Sequence, residues 1–286
     1  MTEQERAREA HIRMMSVLIG ASVMLTMSMG MRQAFGLFVT PVTRDIGVSV
    51  SDFTFALAVQ NIIWGATQPL TGAVADRFGC RAITVAGSIL FAAGLLVTMY
   101  ATGPLTLLLG MGLMIGLSMS CVSLSLALAA SAKVVSPAKR SMTLGIVSSL
   151  GSLGSFISAP LAQGLMTSYG WHTAMVGFLA LCAVMIPGAW FAGAQDRKSP
   201  HPMPGAMAAN DNLSLKAALR EAANHKGYVV MAIAFFVCGL QLVFLTTHLP
   251  AYLALCGQSP ELSATALATI GGFNRSEEHT SELQSH

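Results

Sequence analysis

The residues of this chain able to act on a ligand are few and far apart. Arg32 is the one cation clearly inside a long apolar run. A guanidinium in hydrocarbon is costly, so it must face a partner, a cavity or the interface. Its planar fork of donors suits a carboxylate. Two readings stand: a site for an anionic ligand, or a side chain that snorkels to the nearer surface, since it lies about 27 Å along the helix from Met14 at ~1.5 Å per residue. A second run carries Gln60, Asn61, Trp64, Gln68, Gly72 and Asp76. Steps of three and four put these on one helical face. That face points either toward a cavity or into a neighbouring helix, where amides act as glue. Gln241 and His248 occupy a later run; the imidazole reads as a cavity group or as a structural hydrogen-bond partner. No acid lies deep in any apolar run, and Asp45, Asp52 and Asp76 sit at run edges. The five cysteines (Cys80, Cys121, Cys182, Cys238, Cys256) show no metal spacing or disulfide framework and read as small hydrophobes. No paired acids, metal-ligand cluster or nucleophile–base set is visible, so neither an enzyme nor a metal or cofactor is expected.

These groups must be positioned by membrane helices. The chain is 53% hydrophobic and only 10% charged, against roughly a quarter charged in soluble domains. Apolar runs fall at Met14–Thr40, Phe53–Ala73, Ala82–Ala101, Leu105–Ala132, Met142–Thr167, Thr173–Ala194 and Tyr228–Leu255, and an eighth begins near Ser263. Each full run is long enough for a ~30 Å hydrocarbon core, and backbone groups in lipid must be satisfied within the segment, so all are read as helices. Ridges of Gly112, Gly116, Ser120 and Ser123, and of Gly145, Ser149 and Ser152, read as close-packing surfaces. Of sixteen Lys and Arg, thirteen fall in the tail and links on the amino-terminal side of the membrane, and the alternate links hold Arg44 alone. By the positive-inside rule the N-terminus is cytoplasmic. The net charge of +3 gives no reason to expect nucleic acid as a partner.

Gly72-Ala-Val-Ala-Asp-Arg-Phe-Gly-Cys-Arg81 joins the second and third runs. It resembles the loop signature between helices 2 and 3 of the major facilitator superfamily, with Gly72, Asp76, Arg77, Gly79 and Arg81 filling the pattern and Cys80 where a second base is usual. The resemblance implies an all-α polytopic membrane protein: a six-helix N-terminal half over 1–194, a cytoplasmic linker over 195–227 with a short amphipathic helix at Leu213–Ala223, then helix 7 and the start of helix 8 of a twelve-helix fold over 228–274. A short repeat agrees, since Arg32-x-x-Phe35-x5-Pro41 resembles Gln241-x-x-Phe244-x5-Pro250.

Lys139-Arg140, the glycine run Gly145, Gly151 and Gly154, Pro160 and Gly170-Trp171 resemble helix 5 of monocarboxylate porters and oxalate/formate antiporters, and the region of Arg32 resembles their helix 1. That likeness implies secondary transport of a small organic anion, a monocarboxylate or dicarboxylate, with a coupling proton or counter-anion as partner and the lipid bilayer, a bacterial inner membrane, as location. The candidate binding residues are Arg32, Gln60, Asn61, Gln241 and His248. A drug- or metabolite-efflux member is the alternative, although the arginine usual in helix 4 is replaced here by Gly110-Met-Gly-Leu-Met-Ile-Gly116. A seven-helix receptor is the remaining rival. Arg275–His286 resembles the in-frame translation of a sequencing adapter, so those twelve residues are expected to be artefactual and the natural protein longer.

Overall fold

The computed structural model describes residues 3–194 and 215–273. The proposed tail 275–286 and most of the linker lie outside the described residues. Among the described residues every element is helical: α1 (Glu3–Ala34), a 3-10 segment (Phe35–Phe38), α2 (Val39–Ile46), α3 (Val50–Phe78), α4 (Cys80–Met99), α5 (Pro104–Leu107), a π segment (Leu108–Met114), α6 (Ile115–Cys121), α7 (Leu124–Ala132), α8 (Pro137–Tyr169), α9 (Trp171–Ala192), α10 (Leu215–Asn224), α11 (Lys226–Leu255) and α12 (Pro260–Phe273).

Among the described residues six stretches are long and apolar enough to cross a membrane: Gln4–Ile46, Cys80–Met99, Pro104–Ala132, Pro137–Tyr169, Trp171–Ala192 and Lys226–Leu255. The sequence reading expects seven. The difference is α3, whose 29 residues suffice in length but whose Gln60, Asn61 and Gln68 lower its mean hydropathy. A helix of that composition is stable in lipid only with its polar side turned to protein or to a water-filled space. The 14 residues of α12 are too few to span.

α1 lies centrally, packed against α7, α8 and α9, while α4 bridges α9 and α6, and α3 covers α6 and the π segment. In lipid, helix association is driven by packing and interhelical hydrogen bonds rather than by water exclusion. Small residues accordingly sit at the crossings. A Cβ on Gly154 would overlap the Thr26 carbonyl oxygen, and one on Gly116 would come within 2.8 Å of the Gln60 oxygen. Thr26 Oγ1 seals the first crossing by donating to Leu150 O at 2.9 Å. The aromatic centre comprises Phe35, Phe38, Phe91 and Phe178, with the Phe38 and Phe178 rings 5.5 Å apart; such tilted pairs favour the edge-to-face contact of aromatic quadrupoles.

The run Leu105–Ala132, read from sequence as one helix, is interrupted. The π segment widens its first half, and the chain leaves helical geometry at Val122 and Ser123. The break is tolerated because its polar groups are met within the protein. Thr71 Oγ1 donates to Ser120 O at 3.1 Å, Ser28 Oγ to Val122 O at 3.4 Å, and Ser123 Oγ accepts from Leu126 N at 3.4 Å.

The two ends of the bundle are tied differently. At one end α3 runs to Phe78 and only Gly79 turns the chain, at φ +92, a conformation that favours glycine. Gly72 therefore lies within α3 rather than in the turn. Arg81 then docks on α9: its Nε donates to Trp190 O at 3.2 Å and its guanidinium lies 4.6 Å from the Trp190 ring. Asp76 and Arg77 are exposed beside it. At the other end Trp171 Nε1 donates to Asp45 Oδ2 at 3.0 Å, joining α9 to α2. Ser49 and Asp52 form a capping box that starts α3.

Candidate functional site

The cavity is built where α1, α3, α11 and α12 face one another. Its volume is about 740 Å³, within the usual range for small-molecule sites. α1 contributes Met29, Arg32 and Gln33, α3 contributes Asn61, Trp64 and Gln68, and α11 contributes Phe235, Phe236, Leu240 and Val243.

Arg32 sits at one end. Its Nη2 donates to Asn61 Oδ1 at 3.2 Å, and its Cζ lies 4.9 Å from the Trp64 ring centroid. The ring's negative face and the amide oxygen thus hold the guanidinium from two sides. Asn61 is itself fixed, because its Nδ2 donates to Leu57 O at 2.7 Å. Gln33 is buried and donates through Nε2 to Leu267 O at 3.0 Å, tying α1 to α12 across the cavity edge. Trp64 Nε1 is shielded, with no hydrogen-bond partner among the described residues.

A second, smaller chamber of about 20 Å³ lies beyond Arg32. Arg32, Asn61 and Val243 line both chambers, and Phe35, Gly36, Leu57, Gln60, Thr246 and Thr247 complete the smaller one. Its size is that of about one water molecule. Beyond it the 3-10 segment meets α11 backbone to backbone: a Cβ on Gly36 would overlap the Thr246 carbonyl oxygen. The larger cavity is therefore stopped at this end, and its lining runs the other way, to Gln68 on α3 and Phe235 on α11.

The residues singled out from sequence separate into groups. Arg32 and Asn61 come together in the cavity. Gln60, one helical step of 100° away from Asn61, is 2% exposed and turns toward α6, donating through Nε2 to Met119 Sδ at 3.1 Å; it borders only the small chamber. Gln241 is exposed and His248 lies tilted against Phe244 with ring centroids 4.8 Å apart; neither lines either chamber. The loop residues Gly72, Asp76, Arg77, Gly79 and Arg81 lie at the far end of α3. Sequence reasoning missed Gln33; its signal is a second polar residue directly after Arg32 in an otherwise apolar run.

Helices of membrane-spanning length thus surround a cavity lined by one guanidinium. The family model described as Major Facilitator Superfamily matches residues 19–274, and the chain belongs to that superfamily. Among relatives, Monocarboxylate transporter 3 of Rattus norvegicus is 30% identical over 105 residues, 36% of this chain and 21% of that protein. Monocarboxylate transporter 11 of Mus musculus is 26% identical over 150 residues, 52% of this chain and 33% of that protein. An MFS-type transporter of Aspergillus fumigatus is 24% identical over 170 residues, 57% and 39% of the two chains. The chain spans between a fifth and two fifths of the length of these relatives.

Proposed function

We propose that the chain is the amino-terminal portion of a secondary transporter that moves a small organic anion by alternating access, with Arg32 as the anion-binding group. The observation that carries this is the guanidinium at the closed end of the cavity, held by Asn61 and the Trp64 face. Charge inside a membrane protein is retained where it meets a ligand, a pathway or a counter-charge. The names of the relatives favour a monocarboxylate. Residues 1–194 form the first half, 195–227 the linker and 228–274 the start of the second half, between which the substrate lies. Gln60 borders the anion from the small chamber, while Gln241 and His248 serve it in another state of the transport cycle. A proton or a counter-anion provides coupling.

We place the basic end, with Gly72–Arg81, in the cytoplasm of a bacterial inner membrane. In that orientation the cavity is approached from inside and closed outside by Gly36 on Thr246. The test is uptake of labelled carboxylates into proteoliposomes by a transporter containing this chain within a complete second half. Wild-type uptake that Arg32→Ala abolishes is expected; wild-type affinity in that variant overturns the assignment. The 286-residue chain by itself is expected to give no counterflow.

A further inference from the structure

Resting on the anion reading above, we infer that the cavity selects a monocarboxylate with an extended apolar body, an aryl-alkyl or medium-chain acid, over both dicarboxylates and two- or three-carbon acids. Three observations carry it.

The first is charge. Among the described residues lining the cavity Arg32 is the one cation and none is acidic. A second carboxylate on the ligand would be desolvated against side chains that cannot neutralise it.

The second is length. Val243 borders both chambers and so marks the level of Arg32, and on α11 the lining runs from there to Phe235, eight residues earlier. On α3, Asn61 at the guanidinium and Gln68 at the far end are seven residues apart. Two independent helices thus give similar depths, about 10–12 Å at ~1.5 Å per residue. A two- or three-carbon acid held at Arg32 leaves most of that depth unfilled and forgoes the transfer of its walls from water.

The third is the commitment of the polar groups nearest the anion. Asn61 gives its oxygen to Arg32 and its amide to Leu57 O, the Gln33 amide is engaged by Leu267 O, and Ser155 Oγ donates to Gly151 O at 3.4 Å. A hydroxyl or keto group that meets these engaged groups, rather than the unpartnered Trp64 Nε1, is left unpaired and rejected. Apart from Gln68 at the far end, the wall beyond them is apolar: Met29, Ile62, Phe236, Leu240, Val243 and Ile270.

The experiment is titration calorimetry on the 286-residue chain in nanodiscs with four probes: 4-phenylbutyrate, its neutral amide, acetate and glutarate. Trp64 fluorescence, in a background of Trp171→Phe and Trp190→Phe, is the second readout. The expected result is 4-phenylbutyrate binding at least about tenfold tighter than acetate or glutarate, with Arg32→Gln removing about tenfold and Leu240→Asn a similar factor. Acetate or glutarate binding as tightly as 4-phenylbutyrate, with all three weakened by Arg32→Gln, overturns the apolar-body inference and leaves the anion reading standing. Equal binding of the amide, or indifference to Arg32→Gln, overturns the anion reading as well. Silence toward every probe in both readouts overturns both.

Discussion

Asn61 presents its oxygen to Arg32 and its amide to Leu57 O, so one side chain orients the guanidinium and is itself locked to its own helix. Fixing both partners before a ligand arrives lowers the ordering cost of binding.

It follows that Asn61→Leu weakens carboxylate binding while leaving the charge in place. The expected loss is about tenfold, the worth of one hydrogen bond to a charged group. Arg32→Lys keeps the charge but loses the fork, and an equal or larger loss is expected. Binding titrations of both variants check this; unchanged affinity in Asn61→Leu removes its orienting role.

Gly36→Val puts a side chain where the Thr246 carbonyl now lies. The contact between the 3-10 segment and α11 cannot then close without a backbone shift, an overpacking cost of about 1–3 kcal/mol. With Thr247→Cys as reporter, labelling by a membrane-impermeant maleimide from the Asp45 side is expected to rise several-fold over the Gly36 background. No change in labelling contradicts a closure at this point.

Lys139 at the start of α8 and Lys216 in α10 belong to the basic end of the chain. With that end cytoplasmic, neither reacts with an impermeant amine reagent applied to intact cells, and both react after permeabilisation. Reaction of either from outside inverts the topology.

Trp171 is 7% exposed and donates to the exposed Asp45. Trp171→Phe removes one hydrogen bond, about 1 kcal/mol, and the melting midpoint is expected to fall by roughly 2–4 °C. Trp171→Ala also opens a cavity and falls further. Equal midpoints in Trp171→Phe and wild type show that the bond does not tie α9 to α2.

Much of this fold is legible because lipid leaves few options. The run Ala82–Ala101 becomes α4 almost to the residue, and Gly79 turns the chain where the glycine-rich link requires it. The break at Val122 was hidden because its carbonyls are answered by Ser28 and Thr71, from helices distant in sequence. Rotation of a helix about its axis is equally non-local. Gln60 and Asn61 share one polar stripe, yet the approach of Gly116 to the Gln60 backbone sends the first toward α6 and leaves the second in the cavity. Gln241 is exposed and His248 only partly buried, because the lean of α11 on its neighbours decides which of its residues face the cavity, and no pattern within α11 specifies that lean.

The π segment Leu108–Met114 presents Gly110 to the backbone of α4 at Thr98 and Gly112 to the backbone of α3 at Ala56. Residues two apart lie on nearly opposite sides of a helical turn, so one short stretch serves both crossings, and the wider π turn sets its phase against the helix on either side. Excising one residue between 108 and 114 would restore regular winding and swivel the upstream turn out of phase with its two neighbours. This stretch is therefore expected to tolerate replacement by residues of equal size far better than any change in its count.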